Sequence, residues 1–299
     1  MFNQYFGNYL LEKSLIKPEE LTAVLEAQKS VKVKLGVLAI DSGYMTAEQV
    51  SQVHKLQAVK DRKFGALAVE EGYLTEEQLD ELLHMQRKSN ILIGQVLIEK
   101  GFFTYEKYEE VLRHYRKDSK LTDDEILALK NSDINKIVEI FIKSLPIEQI
   151  GMLSEYFELF VKNIIRFIDD EIRVEAASEA DSYQFDNLIT QRMGGEYGFF
   201  SGFASSEPVL AHFASVYAQE ELSTMNEMAA DSLGEFLNCQ NGLFLSNLSH
   251  EGTEWELYLP EVQKGGVLKP VSKLYVIPCH LSFGKIDFLF AEGRPSYSN

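Results

Sequence analysis

Asp231, Glu235 and Asn238 stand four and three residues apart in the segment that runs from Asp231 to Gly242. On a helix those offsets put the three side chains on one face. Glu235 supplies a fixed negative charge that can pair with a partner's cation. The Asn238 carboxamide offers a donor and an acceptor together, enough to hold a water molecule. Neither group has to change its protonation state to act. The pair suits hydrolysis of a phosphoryl group carried by another protein.

The elements that must hold these residues follow from the apolar pattern. A helix is predicted from about Ser223 to Gln240, with the triplet in its last turns and Gly242 closing it. Pro208 opens another helix through Tyr217. Tyr156 to Asp169 forms a third, with Phe157, Phe160, Val161, Ile164 and Ile165 as its apolar stripe. Gly195 to Ala204, Trp255 to Pro260, Leu274 to Phe283 and Lys285 to Ala291 read as strands, the last two joined at Gly284 as a hairpin. Residues 150–292 therefore read as an α+β domain with long helices and an antiparallel sheet. Residues 293–299 read as a loose polar tail.

These residues carry a resemblance. Asp231, Glu235 and Asn238, a gap of 21 residues and then Pro260 resemble the signature of the CheC/CheX/FliY family of chemotaxis phosphatases. Gly234 before the acid, Gly242 after the amide and Leu257-Tyr-Leu-Pro-Glu-Val before a glycine turn add to the likeness. The resemblance implies a hydrolase of two-component signalling that removes phosphate from the aspartyl phosphate of a CheY-like receiver. It implies that Glu235 pairs with the receiver's lysine and that Asn238 orients the attacking water. Asp231, Gly234 and Pro260 then support the motif. The receiver is expected to bring the magnesium ion, so the chain needs no cofactor of its own. The equivalent early helix has Val161 three residues after Glu158, so one copy of the motif is visible. A single copy is similar to the CheX branch, which implies a homodimer.

An internal repeat organises the first third of the chain. Gly7, Gly36, Gly65 and Gly94 recur every 29 residues, and Ser14, Gly43, Gly72 and Gly101 follow each by seven. Each of the four units reads as a short helix, a tight turn and a longer helix. Gly43, Gly72 and Gly101 suit the left-handed residue after a helix. Thr46 with Gln49, and Thr75 with Gln78, are expected capping boxes. Residues 1–117 thus form an all-α helical-hairpin repeat module, whose hairpins bury their stripes by stacking. Residues 118–149 form a helical connector. The repeats resemble the N-terminal repeats of type II secretion and pilus ATPases of the MshE type, some of which bind cyclic di-GMP. The matching positions are Lys34, Leu35, Gly36, Gly43 and Gln57, then Lys63, Phe64, Gly65, Gly72 and Gln86. That family's motif usually opens with arginine, whose planar fork grips guanine in a way lysine cannot. A cyclic di-GMP-responsive binding protein, or a non-catalytic adaptor that docks a receiver, is the alternative to the phosphatase.

Composition narrows the partners. The net charge is −17. Residues 1–117 carry 16 Lys/Arg against 17 Asp/Glu, so nearly all of the excess lies beyond them. An acidic second half disfavours nucleic acid and anionic membranes and favours a protein with a basic face. No apolar run is long enough to span a bilayer. Met1-Phe-Asn-Gln-Tyr lacks the basic and apolar segments of a signal peptide, so the expected location is cytoplasmic. Cys239 and Cys279 are too few for a disulfide framework and read as buried thiols. The 6 histidines have no ligand spacing, so no metal site is expected.

Overall fold

Thr46 and Thr75 begin helices because each closes a reciprocal pair with the glutamine three residues on. The Thr46 N–H donates to Gln49 Oε1 at 2.8 Å while the Gln49 N–H donates to Thr46 Oγ1 at 3.2 Å. Thr75 and Gln78 repeat this at 2.9 and 3.2 Å, so donors left over at the helix starts are satisfied. Gly43, Gly72 and Gly101 end the preceding helices with φ of 73°, 73° and 76°.

The computed structural model describes residues 1–28, 34–60, 62–88, 93–143, 145, 147–194, 198–249 and 255–298. The expected strand start at Gly195–Tyr197 and the side chain of Gln86 lie outside the described residues. Two compact units divide between Ile126 and Leu127.

The first unit contains α1 (Phe2–Glu12), α2 (Pro18–Gln28), α3 (Leu35–Asp41), α4 (Ala47–Lys60), α5 (Phe64–Glu70), α6 (Glu76–Lys88), α7 (Ile93–Glu99) and α8 (Tyr105–Asp118). α9 (Asp123–Asn131) crosses the boundary. Phe2, Phe6, Tyr9 and Tyr115 form an aromatic cluster, with Phe6 and Tyr115 edge to face at 5.4 Å. Gly7, Gly36, Gly65 and Gly94 each lie where a side chain of another helix approaches closely. A Cβ on Gly94 would overlap the fully buried ring of Tyr108. Gly94→Ala is therefore expected to destabilise the first unit by about 1–3 kcal/mol, read as a lower melting temperature. An unchanged melt would mean that α7 and α8 are not in close contact there.

The second unit continues with α10 (Ile134–Ile142) and α11 (Ile147–Phe167), then β1 (Arg173–Val174), β2 (Ser178–Ala180), β3 (Tyr183–Met193) and β4 (Phe199–Ser205). α12 (Glu207–Ala218), α13 (Glu227–Ser249), β5 (Glu261–Lys269), β6 (Leu274–Leu281), β7 (Gly284–Glu292) and β8 (Ser296–Ser298) follow. The strands form one antiparallel sheet ordered β1-β6-β7-β4-β3-β5-β8, with β2 also on β6. The unit is thus α+β, and β6 and β7 form the expected hairpin.

Alternation along the strands sorts the side chains onto two faces. Phe199 and Phe203 of β4, Ile189 and Met193 of β3 and Phe288 and Phe290 of β7 join α11, α12 and α13 in the main core. Phe200, Ala204, Leu188 and Leu289 belong to a second cluster. Ser201 lies between Phe199 and Phe203, and Gln191 between Ile189 and Met193, so both point to the helix side. The strand register sets Gln191 directly opposite Ser201.

Several sequence expectations are corrected. α13 runs on to Ser249, so the triplet lies mid-helix and Gly242 does not close it. Beyond Gly242 the buried ring of Phe244 packs at 4.9 Å from Tyr156, and that packing outweighs the roughly 1 kcal/mol a helical glycine costs. Trp255 to Pro260 is no regular strand, only a bridge between Met193 and Leu257. The tail is not wholly loose, because Ser296–Ser298 pair with β5. β3 and β5 were not expected as strands.

Candidate functional site

α13 carries the triplet, and its start is fixed by Asn226, whose Oδ1 accepts the Ala229 N–H at 2.9 Å. Its inner face buries Ala229, Leu233, Phe236 and Leu237. Phe236 is held among the rings of Phe160, Phe203, Phe213 and Tyr217, with centroids 6.1, 6.1, 5.0 and 5.4 Å away. Locking Phe236 inward turns the preceding residue, Glu235, outward. Glu235 and Asp231 are exposed. Met228, on the same face, is 51% exposed.

Pro260 lies against the helix at Gly234. A Cβ at Gly234 would meet Pro260 Cβ at 3.4 Å, in ordinary van der Waals contact. Backbone contacts to the end of β3 hold the segment before the proline. The Tyr258 N–H donates to Arg192 O at 3.0 Å, and the Gly194 N–H donates to Glu256 O at 2.7 Å. The Arg192 guanidinium stacks 3.9 Å over the Tyr258 ring, a cation–π contact. Leu259, next to Pro260, is 86% exposed.

Asn238 differs from the two acids. It is half-buried, and its Oδ1 accepts from Gln191 Nε2 at 2.9 Å. Gln191 Nε2 also donates to the Tyr258 carbonyl at 2.7 Å. Asn241 Nδ2 donates to Gln191 Oε1 at 2.8 Å. Asn241 Oδ1 in turn accepts from Ser201 Oγ at 3.0 Å and from the Tyr156 hydroxyl. The Tyr156 hydroxyl also lies 2.8 Å from Ser201 Oγ, and its single hydrogen serves one of these two neighbours. Nearby, Asn163 Nδ2 donates to Gln240 Oε1 at 2.6 Å, and Gln240 Nε2 donates to the Tyr156 carbonyl at 3.3 Å. Burial holds the Tyr156 hydroxyl far above its usual range, so it stays protonated as a donor.

The structure thus brings Asp231, Glu235, Asn238, Gly234 and Pro260 together around one stretch of α13. Sequence reasoning missed Gln191, Asn241, Ser201 and Tyr156. The signal available was the run Asn238-Cys-Gln-Asn241, polar where the helix faces its own core.

Elsewhere the expected residues have structural contacts. Phe64 packs at Gly36, and Leu35 packs at Gly65, where added Cβ atoms would lie 3.3 Å from each. Lys34 pairs with Glu99 at 2.7 Å. Gln57 Nε2 donates to Arg62 O at 3.2 Å, while Lys63 is exposed. Gly43 and Gly72 are the left-handed turn residues described above. Cys279 is buried and its thiol is pushed up by that burial, whereas Cys239 is only half-buried. Among the described residues no group of three or more His, Cys, Asp or Glu is arranged to hold a metal ion. No described helix is long and apolar enough to cross a membrane.

No model of a known protein family matches the chain, and no curated protein matches it. Solved structures similar to it include a CheC-like superfamily protein from Shewanella sp. PV-4, 14% identical with a TM-score of 0.42. The alignment covers 50% of this chain and 100% of that one. CheX from Desulfovibrio desulfuricans is 13% identical with a TM-score of 0.38, over 47% of this chain and 98% of that one. The CheX–CheY–BeF3–Mg complex from Borrelia burgdorferi supplies a third, 14% identical with a TM-score of 0.40, over 49% of this chain and 100% of that one.

Proposed function

We propose that this chain hydrolyses the aspartyl phosphate of a CheY-like receiver domain. The observation that carries this reading is the geometry of α13. An exposed carboxylate, Glu235, lies one turn from an amide, Asn238, whose outer edge faces solvent and whose inner edge is anchored. Pro260 borders the same stretch. That the residues carrying the resemblance lie along one stretch of the helix supports the reading. Exposed Met228 and Leu259 add apolar contact area beside the charged pair, as a docking surface requires.

In the proposed mechanism Glu235 pairs with the receiver's lysine and sets the register of docking. Asn238 enters the receiver's site and holds the water on line with the phosphorus–oxygen bond to be broken. The contribution is positional, which is where enzymes gain much of their rate in phosphoryl transfer. The metal of the reaction belongs to the receiver. The first unit is assigned a docking or sensing role.

The test is phosphate release from a phosphorylated receiver with magnesium present. Adding the 299-residue chain is expected to accelerate release in proportion to chain concentration. Receiver binding without acceleration would reduce the second unit to a docking module.

A further inference from the structure

We propose that Gln191 is a positioning residue that fixes which end of the Asn238 carboxamide faces the partner. The Tyr258 carbonyl can only accept a hydrogen bond. It lies 2.7 Å from the terminal nitrogen of Gln191, which settles that amide's orientation. The second hydrogen on the same nitrogen reaches Asn238 Oδ1 at 2.9 Å. Gln191 Oε1 then accepts from Asn241 at 2.8 Å. Asn241 cannot turn over either, because a turned amide would set its oxygen against Gln191 Oε1, two acceptors face to face. A chain of donors and acceptors runs from the core to the surface, and each of its three amides, Asn241, Gln191 and Asn238, has one allowed orientation.

The burial of this chain points the same way. Tyr156, Gln191, Ser201 and Asn241 are at most 1% exposed, inside a core of Phe199, Phe203, Phe244, Ile189 and Met193. Folding alone is served as well by apolar side chains there, since each buried polar group costs free energy unless it is paired. A fully satisfied network gives rigidity and one defined arrangement. Here the arrangement ends on Asn238. With Oδ1 turned inward, Asn238 directs its two Nδ2 hydrogens and one remaining Oδ1 lone pair outward. That edge can donate to a phosphoryl oxygen while accepting from the attacking water.

The activity arm of the test rests on the phosphatase reading; the structural arm does not. The experiment uses the full chain with Gln191→Met, which keeps shape and removes all three hydrogen bonds of the Gln191 side chain, and Tyr156→Phe, which removes one hydroxyl from the far end of the network. The side-chain amide signals of Asn238, identified by their loss in Asn238→Ala, are followed by nitrogen-15 NMR. They are expected to move and to exchange faster with solvent in Gln191→Met, and to move less in Tyr156→Phe. With phosphorylated receiver, Gln191→Met is expected to lower kcat tenfold or more and to leave KM within twofold. Unmoved Asn238 signals in both variants would overturn the proposal whether or not the chain is a phosphatase. A raised KM at constant kcat would overturn it as well. A wild-type chain that leaves release unaccelerated would count against the phosphatase reading alone, with the NMR arm still deciding this one.

Discussion

Asn238→Ala is expected to slow receiver dephosphorylation about a hundredfold or more, roughly 3 kcal/mol in the barrier. The substitution removes the only group proposed to touch the attacking water. It leaves docking to Glu235 and its surroundings, so affinity for the phosphorylated receiver should change little. The fold should survive, because Asn238 is only half-buried and makes its contact at the solvent end of the network. Asn238→Asp separates positioning from simple polarity. An aspartate still accepts from Gln191 but turns an anionic oxygen toward the phosphoryl group. It is expected to be at least as damaging as alanine, and a near-normal rate would show that the outward donor is not needed.

Phe236→Ala is expected to destabilise the second unit by about 3–5 kcal/mol, the usual range for removing a buried aromatic ring. The ring touches α11, α12 and β4 through Phe160, Phe213 and Phe203. Its loss leaves a void where the three elements meet. The neighbouring change, Glu235→Ala, is expected to move stability by no more than about 0.5 kcal/mol, as for other exposed positions. Two adjacent residues on one helix thus have opposite signatures, one in urea unfolding and one in receiver turnover. A midpoint shift equal in both variants would contradict the helix orientation described here.

The sequence made the outer half of this site legible and hid the inner half. Asp231, Glu235 and Asn238 could be read because helical spacing maps directly onto a face. Pro260 could be read only with the resemblance, since nothing local links it to Gly234. Asn241-Gly242 resembled a helix stop, so the turn beyond was lost. Local glycine chemistry gave way to the burial of Phe244. Gln191 was invisible for another reason. Strand β3 carries Asn187, Thr190 and Gln191 buried within it, which blurs the period-two pattern by which strands are recognised. β5, with Gly265, Gly266 and two lysines, has too few apolar residues to signal a strand. In the first unit the spacing of glycines and threonines was more informative, because capping and left-handed turns are local rules.

The most direct measurement is the decay of receiver phosphoaspartate followed side by side with wild-type chain, with Asn238→Ala and with no addition. Fast decay is expected with wild type, and decay close to the unassisted rate with the variant. Equal acceleration by wild type and Asn238→Ala, or none by either, would contradict it.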